Sequence, residues 1–79
     1  MKELKVFILK GCPYCQIALK ALDKAMFKDV NVIVIDEREN PEIAEQYDYY
    51  YVPTFYLDGV KIHEGVIDKK EAERLVSSI

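Results

Sequence analysis

The apolar residues of this chain follow two spacings, one nearly continuous and one helical. Leu4-Lys5-Val6-Phe7-Ile8-Leu9 is the pattern of a short strand covered on both faces. Lys10-Gly11 closes it, and Pro13 suits the first position of a helix, where its missing N–H costs nothing. Ala18, Ala21, Leu22, Ala25 and Met26 then recur at helical intervals and predict an amphipathic helix from Pro13 to about Lys28. Val30 to Ile35 is rich in β-branched residues and reads as a second buried strand. A strand, a helix and a strand of these lengths imply parallel strands joined by a right-handed crossover.

In the second half, Asn40 is a good cap and Pro41 a good first residue for a short helix ending near Gln46. Tyr47 to Val52 is a connection. Thr54 to Leu57 and Val60 to His63 read as strands joined by the Asp58-Gly59 turn, which makes this pair antiparallel. Asp68 followed by Glu71 resembles a capping box, and Ala72, Leu75, Val76 and Ile79 give a closing amphipathic helix. The expected order is β-α-β-α-β-β-α: an α/β fold with a four-stranded mixed sheet and three helices, in one domain spanning residues 1–79.

Composition narrows the function. Hydrophobic residues make up 51% and charged residues 32%, the balance of a compact folded domain. The net charge is −3 and no basic patch points to nucleic acid. Lys20, Lys24 and Lys28 would share a helix face, which reads as a solvated surface. No apolar run approaches the roughly 18 residues of a membrane span. The first apolar run is too short and wrongly flanked for a secretory signal. The expectation is a cytoplasmic protein without membrane contact, acting as a monomer.

Cys12-Pro13-Tyr14-Cys15 carries the chemistry, and these are the only two cysteines. In a reducing compartment a structural disulfide would not persist, so a pair two residues apart at a helix start reads as a redox dithiol. Unpaired N–H groups and the positive end of the helix dipole favour an anion at Cys12, and Lys10 adds a nearby positive charge. Cys12 is therefore the expected nucleophile. Cys15, one helical turn on, is the expected resolving thiol. A metal or iron–sulfur module using Cys12 across a dimer is the alternative. A mononuclear structural zinc site usually takes four protein ligands, and beyond the cysteines the chain has only one histidine, His63.

With Val52-Pro53-Thr54, the Asp58-Gly59 turn and His63-Glu64-Gly65-Val66-Ile67-Asp68 in view, nearly the whole chain resembles the thioredoxin superfamily and, within it, the dithiol glutaredoxins, whose active site is Cys-Pro-Tyr-Cys. The resemblance implies a thiol–disulfide oxidoreductase that reduces protein or glutathione mixed disulfides. It implies no tightly bound cofactor, glutathione as reductant, and disulfide-containing proteins as partners. A small thioredoxin-like protein served by a flavin reductase is the alternative within the same chemistry. The resemblance further implies a cis Val52-Pro53 peptide beside the cysteines. Val52 backbone would pair with the cysteinyl part of glutathione, Tyr14 would flank the groove, Lys10 would assist, and Asp68 would hold the γ-glutamyl end. Val66 and Lys69 depart from the usual glycine and acidic residue, which bears on glutathione specificity more than on redox activity.

Other groups have simpler readings. Tyr47, Tyr49, Tyr50 and Tyr51 could form an apolar rim for a protein substrate, but a division between core and surface is the plainer expectation. His63 reads as structural or solvent-facing, and Asp36-Glu37-Arg38-Glu39 as a solvated loop. Thioredoxins place a buried acid behind the cysteines. The comparable place here holds apolar residues such as Val6, so no base is assigned.

Overall fold

A computed structural model describes all 79 residues. The elements are β1 (Lys2–Ile8), α1 (Pro13–Lys24), β2 (Val30–Asp36), α2 (Pro41–Ala44), β3 (Thr54–Leu57), β4 (Val60–Glu64) and α3 (Lys69–Ser77). The sheet order is β2-β1-β3-β4. β1 runs parallel to β2, with Val6 opposite Val34, and antiparallel to β3, with Val6 opposite Phe55. β3 and β4 are antiparallel. The fold is therefore the α/β thioredoxin-like arrangement expected from the element order, with a mixed four-stranded sheet and three helices.

Alternation along the central strands builds two apolar layers. Leu4, Val6 and Phe55 face one way and pack with Ala18, Ala21 and Leu22 of α1, Ala72 and Val76 of α3, and Ile67. Phe7, Ile35 and Tyr56 face the other way, where Ala44, Tyr47 and Tyr49 cover them. The Phe7 ring has Tyr47 at 4.8 Å and Tyr49 at 4.9 Å between centroids, and Tyr56 edge-on at 5.9 Å. These separations lie in the favourable range for aromatic pairs. The capping box of α3 is present: the Asp68 carboxylate accepts from Glu71 N–H at 2.8 Å, and the Glu71 carboxylate accepts from Asp68 N–H.

Three expectations need correction. The helical spacing predicts α1 to about Lys28, but the helix stops at Lys24 and Ala25 is extended. Met26 stands 93% exposed. The chain must turn back here to bring β2 alongside β1, where Lys2 N–H donates to the Asp29 carbonyl at 2.9 Å. That requirement overrides a continuing apolar rhythm. β2 is not buried on both faces: it is a sheet edge, and Val34 is largely exposed. Asn40 occupies the cap position of α2 without accepting a capping hydrogen bond, and α2 is a single turn. Its side-chain amide instead donates to the Asp36 carbonyl at 3.2 Å.

Candidate active site

β1 delivers the chain to Gly11, whose φ of +89° is a left-handed conformation that glycine accepts without strain. This turn places Cys12 at the cap position of α1 with Pro13 as the first helical residue. Cys12 N–H donates to the Leu9 carbonyl at 3.1 Å, and the Cys12 carbonyl accepts from Gln16 N–H at 3.1 Å. Its side chain makes no capping bond, and the residue is half-buried. Cys15, in the first turn, is fully buried. Both are free thiols.

Burial pushes the Cys15 thiol up to about 12. A backbone hydrogen bond with Leu9 opposes this, while Cys12 and the Glu37 carboxylate add to it. Cys15 is therefore a protonated, sheltered thiol in the reduced protein. Iodoacetamide at neutral pH is expected to modify one thiol per reduced molecule, mapped to Cys12, because alkylation needs both access and thiolate. Equal labelling of Cys15 would contradict this asymmetry.

Beside the pair runs a groove of about 590 Å³, lined by Leu9, Tyr14, Val52 and Val66 with Tyr50 and Tyr51 on its rim. The Val52-Pro53 peptide is cis, and Pro53 is buried. Neither the N–H nor the carbonyl of Val52 bonds within the chain. Glu64 shapes the rim: its carboxylate accepts from the N–H groups of Tyr50 at 2.6 Å and Tyr51 at 3.2 Å. Lys61 pairs with Glu64 at 2.7 Å, and this contact with the two N–H bonds holds the Glu64 carboxyl below the usual range.

The tyrosine cluster is divided. Tyr47 and Tyr49 pack inward, whereas Tyr50 and Tyr51 are 85% and 70% exposed. Of the residues singled out in the sequence, Tyr14 and Val52 come together in the groove with Pro53 close by. Lys10 and Asp68 do not line it. Lys10 Nζ reaches Glu39 at 3.8 Å between two highly exposed side chains, a contact worth little. Asp68 uses one carboxylate oxygen in its own helix cap.

The acidic run is more than a solvated loop, which corrects that expectation. Asp36 accepts from the N–H groups of Arg38 at 2.9 Å, Glu39 at 3.3 Å and Lys10 at 3.2 Å. Desolvation works against the Asp36 carboxylate, but these backbone donors outweigh it and lower its pKa. Asp36 thus ties the segment before the cysteines to the end of β2. Glu37 enters the groove, and Tyr49 Oη donates to it at 2.9 Å. Burial, then this bond, raises the Tyr49 phenol. No spacing rule separates Glu37 from its acidic neighbours; only the return of the chain past β2 does.

A dithiol split between a reachable and a buried sulfur, at the helix start of this sheet, is the arrangement of the thiol–disulfide oxidoreductase class. The chain belongs to the thioredoxin-domain family, which matches residues 2–77. A thioredoxin from Halobacterium salinarum NRC-1, solved as a point mutant, is 30% identical with a TM-score of 0.71. The alignment covers 98% of this chain and 73% of that one. Desulfothioredoxin from Desulfovibrio vulgaris Hildenborough is 27% identical with a TM-score of 0.71, covering 99% and 81% of the two chains. Mitochondrial thioredoxin 3 from Saccharomyces cerevisiae is 26% identical with a TM-score of 0.73, covering 99% and 78%. No curated protein matches by sequence.

Proposed function

We propose that this protein reduces disulfides in other proteins through the Cys12/Cys15 dithiol. The observation that carries the reading is the reachable Cys12 and fully buried Cys15, one helical turn apart, beside a groove with free Val52 backbone. Cys12 thiolate attacks one sulfur of the substrate disulfide. A Cys12–substrate bond forms, and the other substrate sulfur leaves as a thiolate. Cys15 gives up its proton and attacks the Cys12 sulfur. The protein disulfide forms and the second substrate thiolate departs. Two electrons and two protons pass from the dithiol to the substrate, whose sulfurs end as thiols.

The exchange itself needs no resident cofactor. In this reading the protein acts as a monomer in a reducing, cytoplasmic setting with soluble disulfide partners. A flavin reductase of the kind that serves thioredoxins is the proposed electron source. Two observations support it over glutathione: Asp68 and Lys10 do not line the groove, and solved structures that this chain resembles are thioredoxins. Glutathione as reductant is the second reading, favoured by Cys-Pro-Tyr-Cys, with Tyr14, Val52, Pro53 and Asp68 as its contacts and Lys10 in support. The metal reading would require a second chain, since no three His, Cys, Asp or Glu side chains of one chain converge.

NADPH consumption with a protein disulfide substrate tests the choice, run in parallel with thioredoxin reductase and with glutathione plus glutathione reductase. Turnover with the flavin reductase alone is the expected result. Turnover with glutathione alone selects the second reading. No turnover in either arm, from a protein whose dithiol is intact, removes both reductants.

A further inference from the structure

The groove beside the cysteines carries an uncompensated negative charge. Three ion pairs form in the molecule: Lys5 with Glu3, Lys10 with Glu39 and Lys61 with Glu64. They account for Glu64 in the groove but leave Glu37 without a cation. Glu37 is half-buried as a residue, and its side-chain hydrogen bond comes from the neutral Tyr49 hydroxyl. A carboxylate lining a groove gains more from an incoming cation than one on an open surface, because water screens the pair less there.

The surroundings of Glu37 suit a cationic side chain of particular shape. The two exposed rings of Tyr50 and Tyr51 border the same groove, and aromatic faces attract lysine and arginine. Leu9, Tyr14 and Val66 offer apolar surface to the methylene stem of such a side chain. The unpaired N–H and carbonyl of Val52 offer main-chain bonds to an extended segment. A volume of about 590 Å³, bordered by Leu9 and Tyr14 on either side of Cys12 in the chain, is ample for one long side chain.

We infer that this groove selects protein disulfides in which a lysine or arginine lies beside the cysteine, with Glu37 as the specificity-determining carboxylate. The inference rests on the disulfide-exchange reading and names its substrate class. Anionic disulfides meet repulsion at the same place.

The test uses the reduced full chain and three peptide disulfides that differ only at the residue beside cysteine: lysine, alanine or glutamate. Exchange is followed directly, without any reductase: the dithiol becomes the protein disulfide and each peptide disulfide becomes two thiols. The lysine peptide is expected to react about tenfold faster than the glutamate peptide at low salt, a ratio that shrinks as salt rises. Glu37→Gln, which keeps the acceptor for Tyr49, should narrow the ratio to about twofold, and Glu37→Lys should reverse it. Glu39→Gln, on the same loop but outside the groove, should preserve it.

Equal rates for the three peptides, or a preference untouched by both Glu37 variants, overturns the assignment while disulfide exchange stands. Failure of every peptide and of a small neutral disulfide removes the exchange reading instead. In that event, binding of the reduced peptides to the Cys12→Ser/Cys15→Ser protein still decides the groove. Amide shifts at Glu37, Tyr50 and Tyr51 should saturate at lower concentrations of the lysine peptide. Equal titrations of the lysine and glutamate peptides would refute it.

Discussion

Replacing Cys12 with serine is expected to lower disulfide reduction by more than about a thousandfold, because a hydroxyl cannot supply the thiolate that attacks the substrate sulfur. The fold should be unaffected, since Cys12 is half-buried and its side chain makes no capping bond. Cys15→Ser should behave differently. Cys12 still attacks, but no second sulfur can attack it in turn, and a mixed disulfide should accumulate. Mass spectrometry of the variant after exposure to a protein disulfide reads this directly. Added glutathione should leave that adduct largely in place under the flavin-reductase reading and clear it rapidly under the glutathione reading. Retention of activity in Cys12→Ser, with loss in Cys15→Ser, would reverse the two roles.

Phe7→Ala should be the most damaging single change to the fold away from the cysteines. Phe7 is fully buried at the centre of the second apolar layer, with three tyrosine rings around it. Truncating a buried phenylalanine costs about 3–5 kcal/mol through lost transfer energy and an unfilled cavity. Domains of this kind have roughly 5–15 kcal/mol in total. The thermal midpoint of the reduced protein, followed by circular dichroism, should fall by about 12–40 °C. A drop of only a few degrees would mean that Tyr47, Tyr49 and Tyr56 close over the gap and that the layer is not built around this ring.

Much of this was legible beforehand because it depends on neighbours in sequence. The apolar run at Leu4–Leu9, the turn at Asp58-Gly59 and the capping box at Asp68 and Glu71 are local patterns with local physical causes. The dithiol belongs with them: a cysteine at a helix start and another in the same turn share their geometry through the helix itself. The end of α1 shows where locality fails. Ala25 and Met26 continue the helical rhythm, yet the chain leaves the helix at Lys24 to return to the sheet.

The groove lies on the other side of that divide. Tyr47, Tyr49, Tyr50 and Tyr51 are near neighbours in the chain, and only packing against Phe7 and the grip of Glu64 sends two inward and two outward. Glu37 looks like part of a solvated run until β2 ends beside the cysteine loop and Tyr49 fixes its carboxylate. The amino-acid sequence by itself determined the element order, the reactive dithiol and the one-turn separation of its sulfurs, because short-range spacing dictates each. The tertiary structure alone decided how completely Cys15 is buried, that β2 is an edge, and that Glu37 faces the groove. Each of those depends on contacts between segments far apart in the chain.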